Sequence, residues 1–96
     1  MSRVIFTPAA VQDLDRLKGF LQAKGPAAAE KAAQAIIQGM QAIEEMPHIG
    51  RPIEDLPPEY RDWLVDFGDS GYIARYRLDG ETAVVLAIRH QKEVGL

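Results

Sequence analysis

The sequence contains no cysteine, so its fold relies on neither disulfide bonds nor thiolate metal ligands. It has no apolar run long enough to span a membrane, and its first residues lack the apolar stretch and cleavage site of a signal peptide. A glycine-rich phosphate loop is also missing, because Gly68 and Gly71 flank a short turn with no following helix or lysine. We therefore expect a cytoplasmic protein without a cofactor.

The sequence also lacks an excess of basic residues, since its formal net charge is -3. Residues 1–50 hold five Lys or Arg and five Asp or Glu, whereas residues 51–96 hold six basic and nine acidic residues. Proteins that mainly grip phosphate backbones normally carry a basic surface. Any contact with nucleic acid is therefore expected to be a local patch.

The chain is long enough for one hydrophobic core, with 96 residues of which 47% are apolar, so residues 1–96 are treated as a single domain. Residues 3–6 read as a short strand, which Thr7 and Pro8 end. Thr7 suits a helix N-cap and Pro8 the first helical position. An apolar face then follows at helical spacing, formed by Val11, Leu14, Leu17 and Leu21.

Gly25 and Pro26 separate this helix from a second one, which is predicted to run to about Met46. So short a link favours an antiparallel helical hairpin. The second helix has an apolar stripe of Ala32, Ile36, Gly39, Met40 and Ile43. Residues 47–61 contain four prolines and a glycine and are predicted to form an ordered loop.

Three strand candidates follow the loop, at residues 63–67, 72–78 and 82–89. Asp79-Gly80 between the last two predicts a type I′ hairpin turn, in which both central residues have positive φ. The last strand is apolar on both faces, so we place it inside the sheet with the N-terminal strand on its free side. The predicted fold is α+β: an N-terminal strand, a two-helix hairpin and a three-stranded antiparallel meander, forming one sheet packed on the helices.

The residues with chemical potential lie on the last two strands. Alternation places Arg75 and Arg77 on one face, where they could bind an anion or could simply be paired with nearby Asp and Glu. Arg89 and His90 end the last strand, where a histidine is more often structural than a catalytic base. No metal site is expected, because His48 and His90 lie far apart in sequence and neither has a carboxylate at ligand spacing.

The order of elements resembles the RelE/ParE superfamily of toxins, also known as plasmid stabilisation proteins, over nearly the whole chain. The resemblance is carried by several short stretches. These are Phe6-Thr7-Pro8-Ala9-Ala10 with Asp13-Leu14, Pro47-His48-Ile49-Gly50-Arg51-Pro52, Gly71-Tyr72 with Arg75-Tyr76, and Leu86-Ala87-Ile88-Arg89-His90.

The resemblance implies a type II toxin encoded beside a protein antitoxin, whose C-terminal segment wraps the helical hairpin and the sheet. The residues implied to bind the antitoxin are Val11, Leu14, Leu21, Ile36, Met40 and Trp63. RelE-like members cut mRNA in the ribosomal A site, whereas ParE-like members poison DNA gyrase without known catalytic chemistry.

Four sequence features favour the ParE branch. RelE-like nucleases commonly carry an arginine on the middle strand, where the stretch Tyr72-Ile73-Ala74-Arg75-Tyr76 has Ile73. These nucleases also often keep a general acid or base in the tail, and no tyrosine follows His90 in this sequence. The chain is also acidic. Its ending resembles the His-x-Arg/Lys close of ParE-like chains, which makes Arg89, His90 and Lys92 the expected gyrase-binding residues.

Two alternatives stay open. One is a ribosome-dependent mRNA endoribonuclease that uses Arg75, Arg77, Arg89 and His90. The other is a corepressor module that binds its antitoxin and has lost toxicity.

Overall fold

The computed structural model of the chain describes residues 3–67 and 70–91. Within these residues, two helices and five strands follow one another. They are β1 (Arg3–Phe6), α1 (Pro8–Gln22), α2 (Pro26–Glu45), β2 (Arg51–Pro52), β3 (Tyr60–Phe67), β4 (Ser70–Asp79) and β5 (Thr82–His90). The α+β class and the helical hairpin are as the sequence predicts.

The start of α1 is tied to the sheet through Thr7. Its side-chain oxygen accepts a hydrogen bond from the Ala10 amide at 3.1 Å, which satisfies one of the free N–H groups of the first helical turn. The same hydroxyl donates to the Val85 carbonyl at 3.0 Å. Pro8 occupies the first turn, as predicted. The N-cap therefore fixes both where α1 begins and where it meets β5.

The five strands form one sheet in the order β1-β5-β4-β3-β2. β1 pairs with β5 as predicted but runs parallel to it, so the sheet is mixed rather than wholly antiparallel. The sequence also predicted four strands. The fifth, β2, lies in the proline-rich loop, where Arg51 and Pro52 pair with Asp62 and Arg61. Pro52 is tolerated there because β2 is an edge strand.

The turn between β4 and β5 differs from the predicted one. Asp79 pairs with Thr82, so the two loop residues are Gly80 and Glu81. Gly80 has φ +62, and Glu81 has no positive φ. A type I′ turn needs positive φ at both positions, whereas type II′ needs glycine at the first one only. The preceding turn, at residues 68 and 69, lies outside the described residues.

Both helices pack on the same face of the sheet and bury it. α2 approaches β3 so closely that a Cβ on Gly39 would lie 2.6 Å from Val65 Cγ2. The buried side of α1 consists of Ala10, Asp13, Leu17 and Leu21. Val11, which was predicted on this face, is 46% exposed. No helix of the described segments has the length and apolarity needed to cross a membrane.

Candidate functional site

The opposite face of the sheet is not covered by the helices, and we call it the open face. Arg75 and Arg77 lie on this open face, because they alternate along β4 with side chains that the helices cover. The buried side chains are Tyr72, Ala74 and Tyr76. Ile73 lies in the same row, beside Arg89 of β5. The alternation thus places Arg75 and Arg77 on one face, as the sequence predicts.

Arg75 is engaged by a carboxylate from the neighbouring strand. Its Nε and Nη2 donate to the two carboxylate oxygens of Asp62 at 2.9 and 3.1 Å, a bidentate pair between residues that are in register. The side-chain hydrogen bonds to Asp62 raise the pKa of Arg75, against a smaller lowering by burial. Arg75 is therefore a compensated charge, whereas Arg77 makes no ion pair within residues 3–67 and 70–91.

Arg89 is also compensated, by a residue on α1. Its Nη1 forms an ion pair with Asp13 Oδ1, and the second oxygen of Asp13 accepts a hydrogen bond from the Ile88 amide at 2.9 Å. Arg16 Nη2 lies 3.8 Å from the same carboxylate. The Arg89 side chain remains 46% exposed. Asp13 thereby joins α1 to the end of β5.

The other predicted target-binding residues are placed differently. His90 lies on the face covered by the helices, where its ring meets the buried Tyr72 edge to face at a centroid distance of 5.4 Å. Lys92 lies outside the described residues. The four nuclease candidates do not converge on one site: Arg75 and Arg77 lie on the open face, His90 lies on the covered face, and the Arg89 guanidinium is paired with Asp13 of α1.

The proline-rich loop is clamped to the sheet by two side chains. The Tyr76 hydroxyl donates to the Pro47 carbonyl at 2.6 Å and accepts from the Gly50 amide at 2.9 Å. Arg61 Nη1 donates to the Gly50 carbonyl at 2.8 Å. Gly50 is required here, because a Cβ would lie 2.7 Å from the Tyr76 hydroxyl. The conformation of the loop is thus held from β3 and β4.

An apolar groove of about 460 Å³ runs between α1, α2 and β1. Four of the predicted antitoxin-binding residues line it, namely Leu14, Leu21, Ile36 and Met40. Phe6 and Ile37 also line it and are 36% and 56% exposed. Lys18, Gln41 and Glu44 supply its polar rim. We call this feature the hairpin groove.

Two predicted antitoxin-binding residues are not part of the hairpin groove. Val11 is exposed elsewhere on α1. Trp63 is half-buried on the face of β3 that α2 covers and packs against the core. Its indole nitrogen is buried without a hydrogen-bond partner in the described part of the chain. The structure therefore brings four of the six residues together and leaves two apart.

No site role was predicted from the sequence for Asp13, Asp62 or Tyr76. A signal was present for Asp13, because a carboxylate at that position interrupts the buried stripe of Ala10, Leu17 and Leu21. Asp62 becomes recognisable only once the register of β3 and β4 is known. Among the described residues, no group of three or more acidic or histidine side chains is placed to hold a metal ion.

Comparison with known families finds a match along nearly the whole chain. The model of a family described as "ParE toxin of type II toxin-antitoxin system, parDE" matches residues 4–95. The chain is also 30% identical over 93 residues to Toxin RelE3 of Caulobacter vibrioides, a match that covers 97% of this chain and 98% of that protein.

Solved structures share the fold. A protein of the chromosomal ParDE system from P. aeruginosa superposes with a TM-score of 0.69 at 23% identity, covering 94% of this chain and 96% of that one. A chain of the E. coli RelBE toxin-antitoxin complex gives a TM-score of 0.60 at 16% identity, covering 93% and 95%. At these identities, the superpositions establish that the mixed sheet and helical hairpin are shared.

Proposed function

Because this chain belongs to the family of ParE toxins of type II toxin-antitoxin systems, we propose that it arrests growth by binding DNA gyrase and is neutralised by a cognate antitoxin. The toxin role follows from family membership. The choice of gyrase rests on the pairing of Arg75 with Asp62 and of Arg89 with Asp13. Since gyrase acts on chromosomal DNA, this proposal places the toxin in the bacterial cytoplasm.

The observation that carries the gyrase proposal is the compensation of Arg75 and Arg89. Cleavage of RNA requires positive charge aimed at the phosphate as its negative charge develops. Asp62 takes two donors of Arg75, and Asp13 pairs with Arg89. The position at which RelE-like nucleases keep an arginine holds Ile73. This arrangement supports a toxin that acts by binding rather than by phosphoryl chemistry.

The end of β5 is the proposed gyrase-contacting region. Arg89 presents nearly half of its side chain to solvent there, and Lys92 follows in the sequence. A partly exposed arginine is a frequent energetic centre of protein interfaces, because its guanidinium combines several donors with a flat apolar surface. Arg89 is therefore the side chain most expected to contact the target.

The test is a supercoiling assay with purified toxin and gyrase. The wild-type protein is expected to block supercoiling or trap cleaved DNA, and Arg89→Ala to weaken the effect by about tenfold or more, as for a central interface arginine. Arg51→Ala is the matched control, because Arg51 is exposed on β2 at the other edge of the sheet. Unaffected gyrase at excess toxin contradicts the proposal.

A ribosome-dependent endoribonuclease is the second candidate, favoured by the RelE name of the Caulobacter relative. It predicts cuts at fixed codon positions when mRNA is mapped by primer extension after induction. Arg77→Ala should then lower cleavage most strongly, since no described carboxylate compensates Arg77. Intact mRNA in growth-arrested cells excludes this candidate.

The hairpin groove is the proposed docking site of the antitoxin. Its apolar lining with a polar rim fits one face of an amphipathic segment. Ile37→Asp is expected to weaken antitoxin binding with little effect on folding, because Ile37 is 56% exposed. Gln34→Asp is the matched control, since Gln34 is exposed on α2 and does not line the groove.

Binding of the antitoxin to the folded toxin should also stabilise the toxin. At a free antitoxin concentration of about 100 times Kd, mass action contributes roughly 2.7 kcal/mol to the free energy of unfolding. We therefore expect a raised melting temperature for the wild type and a smaller rise for Ile37→Asp. An unchanged melt at saturating antitoxin would count against docking in the groove.

A further inference from the structure

Asp13 is a buried carboxylate at the junction of α1 and β5. β1 pairs with residues 82–85 of β5 only, so the edge of β5 beyond Val85 is not paired with β1. α1 packs against β5, and the Asp13 carboxylate accepts the Ile88 amide hydrogen. The same carboxylate holds Arg89. Asp13 thus contacts the backbone and the adjacent side chain at the end of the strand.

The position of Asp13 is informative because burying a carboxylate is costly. An ion pair and hydrogen bonds offset the lost hydration, yet replacing a buried ion pair by apolar residues is often neutral or stabilising. Stability alone therefore gives a weak reason for a charge here. A second reason is the orientation of the Arg89 side chain. The backbone of Arg89 is in register with Ile73, and its guanidinium is paired with Asp13 on α1.

We infer that Asp13 is a positioning residue, which holds the Arg89 guanidinium at the end of β5 in the orientation that contacts the target. This inference rests on the proposed role of Arg89 in target binding. An arginine side chain has many rotamers, and fixing it before binding removes part of the entropic cost of ordering it in the complex. The 46% exposure of Arg89 leaves it accessible while it is held.

Asp13→Asn isolates the positioning effect, because the amide oxygen still accepts the Ile88 hydrogen bond while the negative charge is lost. Four proteins are compared with the wild type: Asp13→Asn, Arg89→Ala, the double variant, and Asp15→Asn. The last is the matched control, since Asp15 is an exposed carboxylate on the same helix. The measurements are growth arrest on induction without antitoxin, supercoiling inhibition, melting temperature and antitoxin affinity.

Asp13→Asn is expected to lower potency by about tenfold, within the range of coupling between contacting residues. The potency of the double variant should lie within about twofold of that of Arg89→Ala, because Asp13 acts through Arg89. Asp13→Asn should bind the antitoxin with wild-type affinity. The control Asp15→Asn should match the wild type in all four measurements. A merely structural role would lower potency and antitoxin affinity together, in step with the melting temperature.

Full or increased potency of Asp13→Asn overturns the inference, as does an effect that multiplies with that of Arg89→Ala. If Asp13→Asn fails to fold, Asp13→Glu keeps the charge and displaces it by one methylene. That variant should fold and be less potent, and wild-type potency for it also overturns the inference.

The outcomes separate this inference from the gyrase proposal. If the wild type arrests growth while gyrase stays active, the gyrase proposal fails, and the order of the variants in growth arrest decides the role of Asp13. If Arg89→Ala keeps full potency in both assays, the positioning role fails. A wild type that neither arrests growth nor inhibits gyrase overturns both.

Discussion

Replacing Tyr76 by phenylalanine removes one oxygen atom from the contact between β4 and the proline-rich loop. That oxygen donates to the Pro47 carbonyl and accepts from the Gly50 amide, and the Tyr76 side chain is fully buried. Phenylalanine fills nearly the same volume, so packing changes little. The substitution therefore measures the two hydrogen bonds that hold the loop.

The expected loss follows from the two groups left without a partner. A buried amide that loses its acceptor costs about 1–3 kcal/mol, and the lost bond to Pro47 adds about 1 kcal/mol. Together the free energy of unfolding should fall by roughly 2–4 kcal/mol. For a domain of this size, each kcal/mol corresponds to about 4–8 °C in melting temperature. Tyr76→Phe should thus melt at least about 8 °C below the wild type.

Chemical denaturation of both proteins across a pH series provides the assay. Burial raises the pKa of the Tyr76 phenol, and the hydrogen bond from Gly50 opposes this with a smaller effect. Because the folded-state pKa lies above the unfolded value near 10, the contribution of Tyr76 is complete below that pH and is lost as pH rises through the folded-state value. The difference in free energy of unfolding between the wild type and Tyr76→Phe should therefore be constant near neutral pH and become smaller at alkaline pH.

Tyr60→Phe is the matched control, because Tyr60 begins β3 and its hydroxyl makes no hydrogen bond within residues 3–67 and 70–91. It should change stability by less than about 0.5 kcal/mol, as is usual away from buried networks. The reasoning is refuted if Tyr76→Phe is as stable as Tyr60→Phe, since the loop would then be held by something other than the hydroxyl.

Gly39→Ala should destabilise the fold by about 1–3 kcal/mol despite its helical position, because the new methyl would meet Val65. Gly19→Ala on α1 should stabilise the fold by about 0.5–1 kcal/mol, because a Cβ there meets nothing within 4 Å. Urea titration of both variants measures the two effects. Equal effects would be inconsistent with the close packing of α2 on β3. Asp62→Ala should change stability by less than about 1 kcal/mol because the pair with Arg75 is partly exposed, yet raise the affinity of the open face for single-stranded RNA. Fluorescence anisotropy with labelled single-stranded RNA measures this affinity. An unchanged affinity would show that Asp62 does not mask Arg75.

The helices and long strands were predictable because their signals are local. Thr7 and Pro8 mark the start of α1, and Gly25 and Pro26 mark the link to α2, as observed. Alternation also placed Tyr72 and Tyr76 opposite Arg75. Where local chemistry decides the conformation, the sequence was sufficient.

Features that depend on pairing between distant segments were not predictable. Arg51–Pro52 becomes a strand only because β3 extends back to Tyr60 and offers it a partner. The pairs of Asp62 with Arg75 and of Asp13 with Arg89 join residues that are 13 and 76 positions apart. The turn at Gly80 differs because Asp79 remains in the strand and moves the loop by one residue.

We propose that this toxin acts by binding gyrase, with Arg75 compensated by Asp62 and Arg89 compensated by Asp13. The most direct measurement gives one preparation of antitoxin-free toxin to two assays, gyrase supercoiling and cleavage of mRNA on translating ribosomes. A toxin that binds gyrase should inhibit supercoiling, trap cleaved DNA and leave the mRNA intact. Codon-positioned mRNA cuts with gyrase fully active would contradict this proposal.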